Sequence, residues 1–416
     1  MKKLLVSSIM VVMICISCAK DDRENTTNET IKIGVLMPFS LEGSILPSES
    51  RLNAVIMAVE EINQEEGVLG KNLEIITADN EGDEELCKQR AKELIDQGCI
   101  AIIGPSWSSR TISTAIEVTI PRGILLITPS ATSPEITHLD DNGLVWRTVP
   151  SDAFQGKVAA QYVNENLGFK TAGVIYVDNS YGKSLADIFT DQFEDKGGRV
   201  ITKIKYEFRE SYDNFNFDEK VKDLFKNQPE LIYLISYGQD GVGLTVSINN
   251  TIDLSYGPVF FGCDANHLNY FLPPNSPKEV VDGMMGLAYS DSESDPNVVH
   301  FTNNYTERFG KAPNSPYSSS SYDALYLIAY SILQGKSYKS RDIADNLLAV
   351  SSGGEVINPN EFKVAKSKIE AGIDINYNGV AGSVDFDENG DVMTGTYTVW
   401  QITDNKFVEV SIISYP

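Results

Sequence analysis

From Ile31 onward, short apolar runs alternate with longer stretches of helical spacing. IKIGVLM, residues 31–37, is rich in β-branched residues and reads as a buried strand. A Ser-, Gly- and Pro-rich loop, 38–50, follows it. Residues 50–66 then place Leu52, Val55, Ile56, Val59 and Ile62 on one helix face, with Glu60, Glu61, Glu65 and Glu66 off the stripe. The glycines of 67–70 end that helix. Residues 73–77 and 84–97 repeat the pair of strand and helix. The pattern restarts near Trp146, with a helix over 154–166, a strand over 172–177 and a helix over 183–196. Further strands (200–206, 231–236, 258–262) and helices (217–227, 241–249) continue it. Strand alternating with helix is the signature of βαβ units. The prediction is an α/β fold with doubly wound parallel sheets in two similar halves. Beyond them, 305–309, 321–333 and 341–350 look helical, and 384–387, 395–402 and 407–410 look like strands, a tail shared between both halves.

The stretch from Ala101 to Thr137 repeats one device. A short apolar run (101–104, then 124–128) ends in a turn rich in Pro and Ser, and a hydroxyl residue opens the next segment. Beyond the carboxyl ends of parallel strands, helix N-termini present free N–H groups to ligands. Ser108, Ser109, Ser130 and Thr132 add hydroxyls there, a seat for a small carboxylate. Ordinary N-capping is the other use of such residues. Two such turns in tandem favour a site. Asp264 follows the strand 258–262 and would partner an ammonium group if it faces the same cleft. Tyr181 and Tyr237 lie at strand ends of the second half, where their rings could cover a ligand.

Composition narrows the function. The 416 residues carry a formal charge of −24, which argues against nucleic acid and anionic lipid as partners. Lys2, Lys3 and the apolar run 4–16 form a leader too short to span a membrane as an ordinary helix. The sequence Ile16-Ser17-Cys18-Ala19 resembles a bacterial lipobox, so residues 1–17 are expected to be a signal peptide. Cys18 would be the lipidated first residue of the mature chain, and 18–30 a polar linker. Lys20-Asp21-Asp22 resembles a surface-export signal of Gram-negative lipoproteins and reads equally as an acidic linker. Cys87, Cys99 and Cys263 remain; Cys87 and Cys99 would sit roughly 18 Å apart along a helix, so no structural disulfide is expected.

Motifs for chemistry are weak. Gly104-Pro-Ser106-Trp-Ser108 lacks the last glycine of a nucleophile elbow, and no His stands in a suitable context. Neither a P-loop nor a G-x-G-x-x-G is present. His138, His267 and His300 form no ligand-spaced pair, so no metal or cofactor is expected. Asp374 to Asp385 has calcium-loop spacing, but strand-like sequence follows where a helix is required, which favours Asx-type turns around a hairpin.

IKIGVLMP, AVEEINQEEGVLG, AIIGPSWSS, ITPSATSPEIT, WRTVPSDAFQG, DNSYGKSLA and GSVDFDENGD together span about 31–410. With them the chain resembles the type I periplasmic binding proteins of branched-chain amino-acid ABC transporters, the Leu/Ile/Val-binding group. The resemblance implies two α/β lobes joined by three crossover segments that close like a hinge. Lobe 1 would be 31–149 plus 286–394, and lobe 2 would be 150–285 plus 395–416. It implies that Ser108 binds the ligand carboxylate and that Ser130 and Thr132 bind carboxylate and ammonium. Tyr181 and Tyr237 would complete the site, and Asp264 would pair the ammonium where the family more often has Glu. Leu46 stands near where an aromatic often covers the ligand, and Trp107 and Tyr317 add bulk to the side-chain pocket.

The expected protein is a monomeric, non-enzymatic lipoprotein, tethered outside the cytoplasm of a Gram-negative bacterium in the periplasm or at the cell surface. It would capture a small amino acid, branched-chain or otherwise aliphatic, and deliver it to an ABC permease. The alternative is a ligand-sensing lipoprotein of the same fold that takes a non-amino-acid carboxylate or amide.

Overall fold

The computed structural model describes residues 29–209, 216–291, 294–315 and 317–416. The expected signal peptide and Cys18 lie outside them. Five strands build the first sheet: β1 (Ile31–Met37), β2 (Leu73–Asp79), β3 (Ala101–Ile103), β4 (Leu125–Thr128) and β5 (Val145–Arg147). Their order is β2-β1-β3-β4-β5, all parallel. The second sheet begins with β6 (Thr171–Val177), β7 (Arg199–Tyr206), β8 (Leu231–Ile235), β9 (Val259–Gly262) and β10 (Met285–Tyr289). A small sheet follows, of β11 (Glu355–Ile357), β12 (Ile375–Gly379) and β13 (Gly382–Ser383). The hairpin β14 (Gly395–Thr403) and β15 (Lys406–Tyr415) then returns to the second sheet, giving the order β15-β14-β10-β9-β8-β6-β7. Its parallel part carries β14 and β15 antiparallel at one edge.

In each sheet the strand order reverses once, between β1 and β3 and between β6 and β8. Loops leaving neighbouring strands there run in opposite directions and open a crevice at the carboxyl edge. The turns singled out in the sequence leave these strands or their neighbours.

Apolar side chains collect into separate cores. Ile33, Val35, Ile103 and Ile127 of the first sheet pack with residues 298–392, including the helix Ser318–Gly335. That helix is buried on every face from Ser318 to Leu333, its four leading serines and Asp323 included. The far face of the first sheet packs on Cys87, Ala91 and Leu94 of one helix and Ala115 and Val118 of another. The second sheet has its own core, around Phe189, Tyr233, Phe261 and Trp400. The chain passes between the two bodies after β5, after β10 and before β14. Because β10 continues to Tyr289 in the second sheet, the second passage starts beyond 289, not at 286.

Other boundaries moved for local reasons. The first helix, α1 (Ile45–Gln64), starts five residues before the expected 50. Pro47 is tolerated there because the first turn needs no intrahelical N–H. Residues 384–387 form no strand; Phe386 makes a single bridge to Val392, and the hairpin strand is β13. Asp387 instead closes an Asx-type turn, accepting the N–H groups of Asn389 (2.8 Å) and Asp391 (3.0 Å). Cys87, Cys99 and Cys263 are buried free thiols.

His267 lies flat on Trp400 (5.7 Å between rings, 9° between planes) with the edge of Phe407 at 4.4 Å. Burial lowers its pKa to about 4. The unfolded imidazole titrates near 6.5, so its stabilising share is present above that pH and is lost as pH falls through 4. His267→Phe should therefore gain about 2 kcal/mol over wild type at pH 5 and little at pH 8. Urea unfolding at the two pH values checks this; an equal effect at both would refute the titration.

Candidate functional site

The cleft between the two bodies encloses about 950 Å³ of empty space, its open mouth included. Ser106, Trp107, Ser108, Ser130 and Thr132 line it from the first sheet's turns, and Tyr181, Tyr237 and Asp264 from the second's. Tyr317 reaches it from the start of the buried helix. Of the nine expected ligand contacts, eight meet here. Leu46 does not: it is 54% exposed at the start of α1, and its neighbours Pro47 and Ser48 face the cleft.

The first wall is shaped by backbone. β3 is followed by Gly104 at φ +112°, where a Cβ would lie 2.2 Å from the carbonyl oxygen of Leu36. Only glycine lets the chain turn so close beside β1. The two turns are then tied together. Thr128 Oγ1 donates to Pro105 O (2.9 Å), Ser130 Oγ to Ser106 O (2.9 Å), and the Ser133 N–H donates to Ser108 Oγ (3.1 Å). The helix after β3 begins at Ser108 and no side chain caps it. Capping is therefore not what Ser108, Ser130 and Thr132 do. Ser109 turns away, accepting from Arg110 Nη1 (2.9 Å), and does not line the cleft.

Arg147 holds this wall from behind. It is fully buried, bonds both oxygens of Asp391 (2.6 and 2.7 Å), and donates to the carbonyls of Thr132 (3.0 Å) and Ser133 (2.9 Å) and to Thr137 Oγ1 (2.8 Å). The Thr132 turn thus has a fixed backbone beneath a polar surface.

The opposite wall is anionic. Asp264 is 5% exposed; Oδ1 accepts from Tyr181 OH (2.6 Å) and Gln155 Nε2 (2.9 Å), and Oδ2 from Tyr317 OH (2.5 Å). Asp152 stands behind Thr132, whose hydroxyl donates to its Oδ2 (2.7 Å), while its Oδ1 is buried without a partner. Burial, and next the charge of Asp264, push the Asp152 carboxyl well above the ordinary range. The Asp264 carboxylate beside a second carboxyl group with an unpartnered oxygen forms a seat for a cation.

Aromatic rings bridge the walls. Trp107 stacks on Tyr237 (5.1 Å) and Tyr237 on Tyr181 (5.4 Å). Arg110 lies over Phe208 (4.6 Å), and Ser133 Oγ donates to Ser180 O (3.0 Å). The two bodies therefore touch around the cleft.

Nothing in the local pattern pointed to Arg51. On α1 it reads as one more charge on a helix, yet it is buried and lines the cleft. Nε donates to Ser315 Oγ (3.1 Å), and Nη1 to Ser106 Oγ (2.9 Å) and Ser130 Oγ (3.2 Å). Its guanidinium lies 5.0 Å from the centre of the Tyr317 ring. Burial lowers its pKa to about 10. Asp152 and Gln155 were missed for the same reason: a polar residue near a helix start carries no signal that it points inward.

Comparison with known proteins agrees with this architecture. The family described as "Receptor family ligand binding region" matches residues 50–405. The chain is 29% identical over 390 residues to the chemotactic signal transduction system substrate-binding protein BasB of Halobacterium salinarum, covering 90% of this chain and 88% of that one. It is 25% identical over 375 residues to a leucine-, isoleucine-, valine-, threonine- and alanine-binding protein of Pseudomonas aeruginosa, covering 90% of each. Among solved structures, a leucine-binding protein of Thermotoga maritima superposes with a TM-score of 0.75 at 21% identity, over 92% of this chain and 99% of that one. A solute-binding protein of R. palustris in complex with benzoate superposes with a TM-score of 0.72 at 15% identity, over 92% and 96%.

Proposed function

This chain belongs to the receptor ligand-binding-region family, and we propose that it is a substrate-binding protein of the ABC-transporter type that captures a single α-amino acid in its cleft. The observation that carries this reading is the pairing of opposite seats. Free N–H groups and the Ser108 hydroxyl at one helix start suit a carboxylate. Asp264, with Asp152 behind Thr132, suits an ammonium. Both groups of a zwitterionic carbon are then met without exposing either to water. The first body supplies Ser108, Ser130, Thr132 and Trp107; the second supplies Tyr181, Tyr237 and Asp264. Each body alone offers an incomplete site, so ligand favours the closed arrangement. A permease can read that closure. In this reading Cys18 tethers the protein by lipid, and an aliphatic side chain is the first expectation from the names of the relatives. A second reading is sensing, favoured by the chemotactic relative; the binding step is the same and the partner differs.

The test is thermal unfolding of protein refolded to strip carried ligand, screened against amino acids and aromatic acids. A ligand at 100 times its Kd adds about 2.7 kcal/mol. A shift with an amino acid supports the proposal. A shift with benzoate and none with any amino acid removes Asp264 from the role of ammonium partner.

A further inference from the structure

We infer that the ligand carries a second oxyanion at the end of its side chain, received by Arg51, so that the site takes a dicarboxylic α-amino acid. This rests on the amino-acid reading above and narrows it.

A buried guanidinium is costly unless an anion and full hydrogen bonding offset the loss of water. The same body shows the ordinary solution. Arg147 meets both oxygens of Asp391, two backbone carbonyls and a hydroxyl. Arg51 is also buried, 8% exposed against 0% for Arg147, but among the described residues it has no ion pair. Its partners are three neutral serine hydroxyls and the face of Tyr317. Guanidinium has five donors. Nε and Nη1 are engaged, and Nη2 has no hydrogen-bond partner among the described residues. The charge therefore stands in the cleft wall with an unused donor edge.

In the amino-acid reading the α-carboxylate is seated at Ser108, so the anion that answers Arg51 is a second one. Arg51 and Asp264 do not pair. They flank Tyr317 from different sides, the guanidinium over the ring and the carboxylate at the hydroxyl. An amino acid anchored at Asp264 and Ser108 shares the cleft with Arg51, and its side chain would lie along the Tyr317 ring toward the guanidinium. Ser106 and Ser130, fixed by their own bonds, hold the guanidinium in place to receive a planar carboxylate. Trp107 and Leu41 supply apolar surface for the methylenes between.

Calorimetric titration of ligand-stripped protein with L-glutamate, L-aspartate, L-glutamine, L-leucine and benzoate tests this. The expected result is that glutamate or aspartate binds at least tenfold tighter than glutamine or leucine. Arg51→Met should then weaken the dicarboxylate about 100-fold and change glutamine by no more than a few-fold. Should that variant fail to fold, Arg51→Lys keeps the charge, loses the planar fork and should lower the dicarboxylate preference. Wild-type selectivity decides in any case. Leucine or glutamine binding as tightly as the dicarboxylates overturns the assignment of Arg51 and leaves the amino-acid reading standing. Benzoate binding with no amino acid bound overturns both.

Discussion

On the amino-acid reading, Asp264→Asn should leave the protein folded and weaken ligand binding between about 30-fold and several thousand-fold. The range follows from the 2–5 kcal/mol lost when one partner of a buried, hydrogen-bonded charge pair is removed. The substitution is almost isosteric. The amide oxygen can still accept from Tyr181 and Gln155, and the Tyr317 hydroxyl can turn from donor to acceptor. Folding therefore loses no more than about one ordinary hydrogen bond, roughly 1 kcal/mol. On the same reading, binding would lose the charge that neutralises the ammonium at a carboxylate only 5% exposed. Titration calorimetry on the tightest ligand from the amino-acid screen gives the affinity, and thermal unfolding without ligand gives the control. A change in Kd of threefold or less, with the fold intact, would show that the ammonium sits elsewhere.

Arg147→Met and Asp391→Leu, made singly, should each cost about 3–5 kcal/mol of stability, because each leaves a buried charge alone. Made together they should recover most of that loss, since neither charge then remains. Chemical denaturation of the four proteins measures the cycle. Ligand affinity should follow a different course. Even the double variant lacks the guanidinium that grips the carbonyls of Thr132 and Ser133, so it should fold and bind more weakly than wild type. Equal affinity in the double variant would show that the turn holds its shape without Arg147. Additive losses would mean the pair is not the interaction its geometry describes.

Much of this architecture was present in the order of apolar and polar residues. Strand after helix after strand, with β-branched residues in the short runs, leaves few options but parallel sheets with helices on both faces. The Pro-Ser turns after β3 and β4 were visible because turn residues punctuate sequence locally. Their position at a strand end already implied a crevice. Asp264, Tyr181 and Tyr237 were found by the same logic. Elements without a local signal were misplaced. The start of α1 hid behind Pro47, and the strand expected at 384–387 gave way to an Asx turn at Asp387.

Side-chain direction was decided only in three dimensions. Leu46 and Arg51 stand on one helix, and sequence makes the leucine the better guess for a buried contact. The fold does the reverse: Leu46 meets solvent, while Arg51 meets Ser106, Ser130, Ser315 and Tyr317, residues up to 266 positions away. Asp391 finds Arg147 across 244 positions. Periodicity reports what a segment buries on its own face. Charge partnership depends on which distant segments the two sheets bring to their carboxyl edges, and no local pattern encodes that.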